Sequence, residues 1–189
     1  MRTRAILAVT AALTGAAGAA GAAYLGVVTG AVAVDLGVGR RLRPLGPITV
    51  TVNAPRRVVY DVLAAPYAER PSRAMREKVE VLDRGSGLVL AAHRTPLRGG
   101  LTAVTTETVG LHPPTRMTFR LVRGPVPHVA ESFELIDEGD RTTVRYTGEL
   151  GTDLWAAGAR WGDLVAQSWE ATVRESLETA KAEAERRAS

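Results

Sequence analysis

The sequence predicts an α+β domain in which one long C-terminal helix covers a curved antiparallel sheet of seven strands. The first observation is the spacing from Asp153 to Arg187, where Trp161, Val165 and Trp169 recur at helical intervals. The second is a preceding run of alternating segments divided by short loops rich in glycine and proline. Such loops indicate hairpins, so the sheet is antiparallel and supplies the surface that the helix needs.

Residues 1–35 predict a transmembrane signal anchor. The stretch 5–34 carries no charge and is long enough to cross a hydrocarbon core of about 30 Å. Arginines lie on both flanks, so the side of the membrane that the domain occupies stays open. A cleaved signal peptide, with a site such as Ala20-Gly21-Ala22 and a secreted product, is the alternative. The expected location is therefore the cell membrane, crossed once.

The next segment, 36–47, predicts a basic linker, because Arg40, Arg41 and Arg43 precede a stretch rich in proline and glycine. The domain then spans 48–187. Strict alternation predicts its first strand at 48–52. A short helix follows to about Ala64, and a second short helical piece is expected at 67–73.

Six further strands are expected at 75–83, 88–96, 101–111, 115–123, 128–137 and 141–150. Their alternation places apolar side chains on one face, and that face carries Glu107 and Glu131 with it. The sequence therefore predicts two carboxylates pointing into an apolar interior. Past Lys181 the final helix is almost wholly charged or alanine, and an isolated helix there would be marginal.

The composition excludes several classes of protein. Five of the 24 basic residues precede residue 44, and only one of the 20 acidic residues, Asp35, does so. The remaining residues therefore contain equal numbers of basic and acidic side chains and are formally neutral. A nucleic-acid groove needs clustered Lys and Arg, and none is present. The chain has no cysteine, and His93, His112 and His128 are too scattered for a metal triad. We expect no metal, no cofactor and no nucleic-acid partner, and no oligomeric state is predicted.

The order of elements resembles the START-like or Bet v 1-like (SRPBCC) superfamily, and within it the polyketide cyclase/dehydrase and lipid-transport group. The resemblance covers roughly 47–185 and is carried by ITVTVNAP at 48–55, ETVGLHPPTRMTFRLV at 107–122 and GELGTDLW at 148–155. It implies a helix-grip arrangement, in which the long helix lies across a strongly bent sheet and encloses a cavity for an apolar ligand. No stretch in it is a catalytic signature.

The same resemblance implies a pocket built from inward strand residues and the first half of the last helix. The corresponding positions here are Thr105, Glu107, Phe119, Glu131, Phe133, Tyr146, Gly158, Trp161, Val165 and Trp169. A glycine within a helix costs roughly 1 kcal/mol against alanine, so Gly158 is interpreted as leaving room for the ligand or as compositional chance.

Three functional hypotheses follow. The first is a membrane-tethered binding protein for a hydrophobic small molecule, such as a lipid, a quinone or a polyketide-like compound. The second is a polyketide cyclase, aromatase or dehydratase that uses Glu107 and Glu131 as general acid and base. The third is a partner-binding module whose tryptophans only fill the core. The first is favoured, with catalysis left open.

Overall fold

The computed structural model describes residues 21–32, 35–97 and 100–189. Its strands are β1 (Arg41–Val52), β2 (Val79–Arg84), β3 (Leu88–Pro96), β4 (Thr102–His112), β5 (Arg116–Arg123), β6 (His128–Asp137) and β7 (Thr142–Thr152). Its helices are α1 (Arg56–Ala64), a 3-10 turn (Ala65–Tyr67), α2 (Arg73–Lys78) and α3 (Trp155–Ala188). The seven strands form one curved antiparallel sheet in the order β1-β7-β6-β5-β4-β3-β2.

The predicted antiparallel sheet with a long C-terminal helix is confirmed. Strands β3 to β7 begin and end within two residues of their predicted bounds. Each pairs with its neighbour along the chain, as short loops require.

The first strand begins at Arg41, inside the segment expected to be a basic linker. Residues 41–45 pair with Gly148–Thr152 of β7, and the register shifts between Leu45 and Ile48. Leu45 is among the most buried side chains of the domain. This part of β1 has no clear alternation, so its pairing depends on β7, which lies far away in the sequence.

Helix α2 occupies most of the region where a strand was expected to begin at residue 75. Ser72 caps the helix, and its hydroxyl accepts a hydrogen bond from the Met75 backbone N–H (3.3 Å). The strand β2 therefore begins only at Val79.

Helix α3 packs against β1, β7 and α1 through Ala166, Val173, Leu177 and Ala184, all of which are buried. Its last turns are ordered, because Ala184 lies in the core and the Glu185 carboxylate accepts hydrogen bonds from Asn53 (2.9 and 3.1 Å). The helix thus covers the β1–β7 side of the sheet, away from β2 and β3.

The start of α3 is attached to residues 36–40. The Asp153 carboxylate accepts hydrogen bonds from the Leu36 and Gly37 backbone N–H groups (2.7 and 2.9 Å) and pairs with Arg40 (2.8 Å). The Arg40 guanidinium, helped by these N–H groups, lowers the Asp153 pKa to about 2. Asp153 therefore holds the segment before β1 against the start of α3.

The described part of the predicted membrane anchor packs on the domain. Residues 21–28 are helical, and the turn after them contacts β4 through a hydrogen bond from Val104 N–H to Thr29 O (2.9 Å). Arg123 donates to Ala31 O, and the Tyr24 ring lies 6.2 Å from that of Trp161.

The predicted single-pass location in the cell membrane is corrected by these findings. Within 21–32, 35–97 and 100–189, no helix is both long and apolar enough to cross a membrane. In its described portion, the apolar stretch that suggested an anchor consists of helical residues 21–28 and a following turn that contacts β4. Residues 1–20 and 33–34 of the predicted anchor lie outside the described residues.

Candidate functional site

The concave side of the sheet carries a set of inward side chains that are only half-buried. Alternation in β4, β5 and β6 turns them inward, beside fully buried neighbours such as Val109 and Met117. On α3, three residues at helical spacing face the same space. The half-buried set comprises Thr105, Phe119, Leu121, Glu131, Phe133, Trp161, Val165 and Trp169. Since these side chains point inward and keep accessible surface, the interior under the first half of α3 is incompletely filled.

Four aromatic rings form a row across this interior. The centroid of Phe119 lies 6.1 Å from that of Tyr67 and 5.4 Å from that of Phe133. Phe133 in turn lies 5.0 Å from Tyr146. The tilted and edge-on arrangements are those that aromatic pairs favour, so the row is a rigid apolar surface.

Glu131 lies at one end of this row. Its Oε2 atom accepts hydrogen bonds from the Tyr146 hydroxyl (2.7 Å) and the Trp169 indole N–H (2.8 Å). Burial, followed by the charge of Glu107, raises the pKa of Glu131 to about 7, although the two hydrogen bonds act in the opposite direction. A carboxyl group with this pKa can take or give a proton at neutral pH.

Glu107, His93 and Tyr67 form a second polar group at the other end. His93 Nε2 lies 2.9 Å from the Tyr67 hydroxyl, and His93 Nδ1 lies 3.2 Å from Glu107 Oε2. The second contact lacks the angle of a hydrogen bond, so it is a contact between charges or dipoles. Burial and the charges of Glu107 and Glu131 raise the pKa of Tyr67, which therefore stays a neutral phenol.

Six of the predicted site residues lie together around this interior: Glu107, Phe119, Glu131, Phe133, Tyr146 and Trp169. Both carboxylates point inward, as the strand alternation predicted. Trp161 and Thr105 lie toward the β5–β6 loop, where the Trp161 indole donates to Pro125 O (2.9 Å) and Thr105 approaches Gly124. Contact of any of these residues with a ligand stays a prediction.

Gly158 has a structural explanation of its own. A Cβ atom at this position would lie 1.6 Å from the Asp153 carbonyl oxygen. Two of the residues between them, Leu154 and Trp155, have left-handed backbone angles and turn the chain sharply into α3. The close approach accounts for the glycine without any ligand.

Sequence reasoning missed His93 and Tyr67. Alternation in β3 turns Val89, Ala91 and His93 inward, but Ala92 on the opposite face is also buried, so both faces are apolar and the pattern is ambiguous. Tyr67 lies in a 3-10 turn after Pro66, which has no repeating pattern. Its position beside Glu107 depends on tertiary packing, and no local signal indicates it.

The described residues show no metal centre, and grooves lie on the surface of the domain. No group of three His, Asp or Glu side chains in 21–32, 35–97 and 100–189 is placed to hold a metal ion. Two surface grooves, of about 710 and 610 Å³, lie at the β2–α2 edge and on the outer face of the sheet. The first groove is lined by none of the predicted site residues, whereas Phe119 and Glu131 are among the residues that line the second.

Comparison with known proteins gives one family and several similar folds. The family model described as polyketide cyclase / dehydrase and lipid transport matches residues 48–185. No curated protein matches the chain in sequence.

Three solved structures illustrate the similarity in fold. The Zhui aromatase/cyclase from Streptomyces sp. R1128 is 23% identical over 78% of this chain and 95% of its own, with a TM-score of 0.62. The di-domain ARO/CYC BexL from the BE-7585A biosynthetic pathway is 21% identical over 78% of this chain and 50% of its own, with a TM-score of 0.60. TTHA0849 from Thermus thermophilus is 16% identical over 79% of this chain and all of its own, with a TM-score of 0.60. At these identities the similarity shows the fold alone.

Proposed function

The chain belongs to the polyketide cyclase/dehydrase and lipid transport family, and from that premise we propose that it binds a hydrophobic small molecule between the sheet and the first half of α3. The observation that carries this proposal is the half-buried aromatic surface of the interior. Phe119, Phe133 and Trp169 face inward and keep accessible area that the protein itself does not cover. Covering apolar surface contributes roughly 25 cal/mol per Å², so a ligand with an apolar body is favoured there.

Filling the interior tests this proposal. Val165 is half-buried on α3 between Trp161 and Trp169, and the substitution Val165→Trp puts an indole into the space that a ligand would occupy. We expect the affinity for the neutral fluorescent probe N-phenyl-1-naphthylamine to fall by about tenfold or more. Fluorescence titration measures the change, and a thermal melt followed by circular dichroism verifies that the variant folds.

The adjacent residue supplies the matched control. Leu164 is 61% exposed, so Leu164→Trp adds the same side chain to the solvent side of the same turn. This variant should bind the probe as the natural protein does. Equal binding by Val165→Trp and the natural protein would place the probe elsewhere and contradict the proposal.

A second candidate function is catalysis of enolisation and ring closure in a polyketide-like substrate. The observation that favours it is Glu131, whose pKa of about 7 suits a general base. In this scheme the Glu131 carboxylate removes a proton from a carbon next to a carbonyl, and the resulting enolate attacks a second carbonyl to form a carbon–carbon bond. The Tyr67 hydroxyl, held by His93, can donate a proton to the new alkoxide.

Hydrogen exchange separates the two candidates. In deuterium oxide, a catalytic Glu131 should speed the exchange of the methyl hydrogens of an aryl methyl ketone, which NMR follows directly. The substitution Glu131→Gln keeps the size of the side chain and removes the base, so it should reduce the exchange rate to that of buffer while probe binding persists. Exchange that is equally fast in the variant, or that the natural protein does not accelerate, counts against catalysis and leaves binding in place.

A further inference from the structure

The interior contains a largely buried carboxylate, that of Glu107, which accepts no hydrogen bond from the described residues. The Glu107 side chain is 7% exposed, and His93 Nδ1 lies 3.2 Å from its Oε2 atom at an angle unsuited to a hydrogen bond. No other donor reaches it from the part of the chain that the structure describes. A buried polar group without a partner is costly, so a donor from a ligand would be stabilising at this position.

The second carboxylate is only partly satisfied. Tyr146 and Trp169 both donate to Oε2 of Glu131, and no described residue donates to Oε1. In the sheet, Glu131 lies opposite Phe119, and Glu107 lies opposite Leu121 on the far side of the same strand, β5. The two carboxylates thus point into the same interior from strands that are about 10 Å apart, with Phe119 and Leu121 of β5 between those strands.

The electrostatic field in this interior is negative. Burial is the largest cause of the raised pKa values of Tyr67 and Tyr146, and the charges of Glu107, Glu131 and Glu170 raise them further. Among the described residues of the site, His93 is the one cationic side chain that acts in the opposite direction, at Glu131. Arginines of β5 do not offset this field, because Arg116, Arg120 and Arg123 are exposed to solvent. An anionic head group, such as that of a fatty acid, would meet two carboxylates and no described Arg or Lys.

The aromatic row supplies the remaining part of a cation site. The faces of aromatic rings attract an ammonium group placed within about 6 Å of their centroids. Here Phe119 lies on β5, between the strands that carry the two carboxylates, and Phe133 lies two residues from Glu131 on β6. Tyr67 and Tyr146 are at the ends of the row. An ammonium group in this space can donate to a carboxylate while its apolar body packs on the rings.

We propose that the ligand of this interior is an organic amine in its protonated form, with an aromatic or alicyclic body on the aromatic row and its ammonium group hydrogen-bonded to Glu107. This inference rests on the interior site proposed above and names the chemical class of its ligand. Glu107 selects the cation, Glu131 adds to the negative field, and the rings bind the body.

A matched series of probes tests the inference on the full-length protein. We would compare 2-(1-naphthyl)ethylamine, 2-(1-naphthyl)ethanol and 1-naphthylacetate by isothermal titration calorimetry near neutral pH. These compounds share the naphthyl body and carry a positive, neutral or negative head. We expect the amine to bind about tenfold more tightly than the alcohol and the acetate to bind most weakly, because an ion pair buried among aromatic rings has an added charge-assisted hydrogen bond.

Substitution of Glu107 tests whether this residue causes the preference for the amine over the alcohol. In Glu107→Gln the preference for the amine over the alcohol should fall to within roughly twofold, while binding of the alcohol is retained. Glu134→Gln is the control, because Glu134 is exposed on the outer face of β6 and the substitution removes the same charge from the protein. It should leave the preference unchanged.

Each outcome decides the inference. Acetate binding as tight as amine binding, equal affinities for the amine and the alcohol, or an unchanged preference in Glu107→Gln overturns it. If Glu107→Gln does not fold, the ranking of the three probes on the natural protein is sufficient. Binding of N-phenyl-1-naphthylamine that Val165→Trp abolishes, without preference for the amine, overturns this inference and leaves the proposed function standing. Failure of every probe to bind overturns both.

Discussion

Replacing Glu131 with Gln is expected to leave the free energy of unfolding nearly unchanged near pH 4 and to raise it, relative to the natural protein, at about pH 8. Burial and the charge of Glu107 raise the pKa of Glu131 from its ordinary value of 4.5 to about 7 in the fold. Between these two values the folded protein holds a proton that the unfolded chain releases. The stability of the natural protein therefore falls as the pH rises through this window, and Gln has no charge to bury.

The size of this effect follows from the same pKa. A rise from 4.5 to about 7 corresponds to a destabilisation on the order of 3 kcal/mol once Glu131 is ionised. Urea denaturation followed by circular dichroism at several pH values measures it. Exposed Glu134 is the matched control, and Glu134→Gln should follow the natural pH dependence. Parallel curves for Glu131→Gln and the natural protein would show that the fold does not raise the pKa of Glu131.

Replacing Gly158 with Ala is expected to destabilise the protein, although alanine is the better helix former. Helix propensity alone predicts a gain of roughly 1 kcal/mol. The added Cβ, however, would lie 1.6 Å from the Asp153 carbonyl oxygen, which the sharp turn at Leu154 and Trp155 holds in place. Since backbone atoms must move to relieve the overlap, we expect a net loss of at least about 1–3 kcal/mol.

Chemical denaturation of Gly158→Ala beside Ser168→Ala separates these two effects. Ser168 is exposed in the same helix, so its replacement by alanine tests propensity without a clash. We expect Ser168→Ala to be neutral or slightly more stable than the natural protein. A stabilised Gly158→Ala would mean that α3 begins differently from the described geometry.

The parts of the fold that the sequence predicted are those with a local repeating pattern. Alternation in β5 to β7 placed Phe119, Glu131 and Tyr146 inward, and the structure confirms it. The parts that it did not predict depend on distant partners. Residues 41–45 become a strand only because β7 pairs with them, and Asp153 binds Leu36 and Arg40, which lie more than 110 residues away in the sequence.

The residues of the candidate site also differ in how far local sequence patterns predict them. The two carboxylates could be predicted because each interrupts an apolar stripe in a regular strand. Tyr67 could not, because its position depends on the packing of a 3-10 turn against β3 and β5. The apolar stretch 5–34 is assigned to the membrane from its composition and length, and composition alone does not show that its described part, 21–32, contacts the domain through Thr29 and Ala31.

The early start of β1 sets a limit on where the chain can be cut for recombinant work. The family match begins at residue 48, and a fragment designed on that boundary would lack Arg41–Leu45, the partners of Gly148–Thr152. That stretch of β7 would become an open edge, which in sheet proteins invites pairing between molecules. Asp153 would also lose the backbone groups of Leu36 and Gly37 and the Arg40 guanidinium. Expression fragments of this domain should therefore keep residue 36 and everything after it.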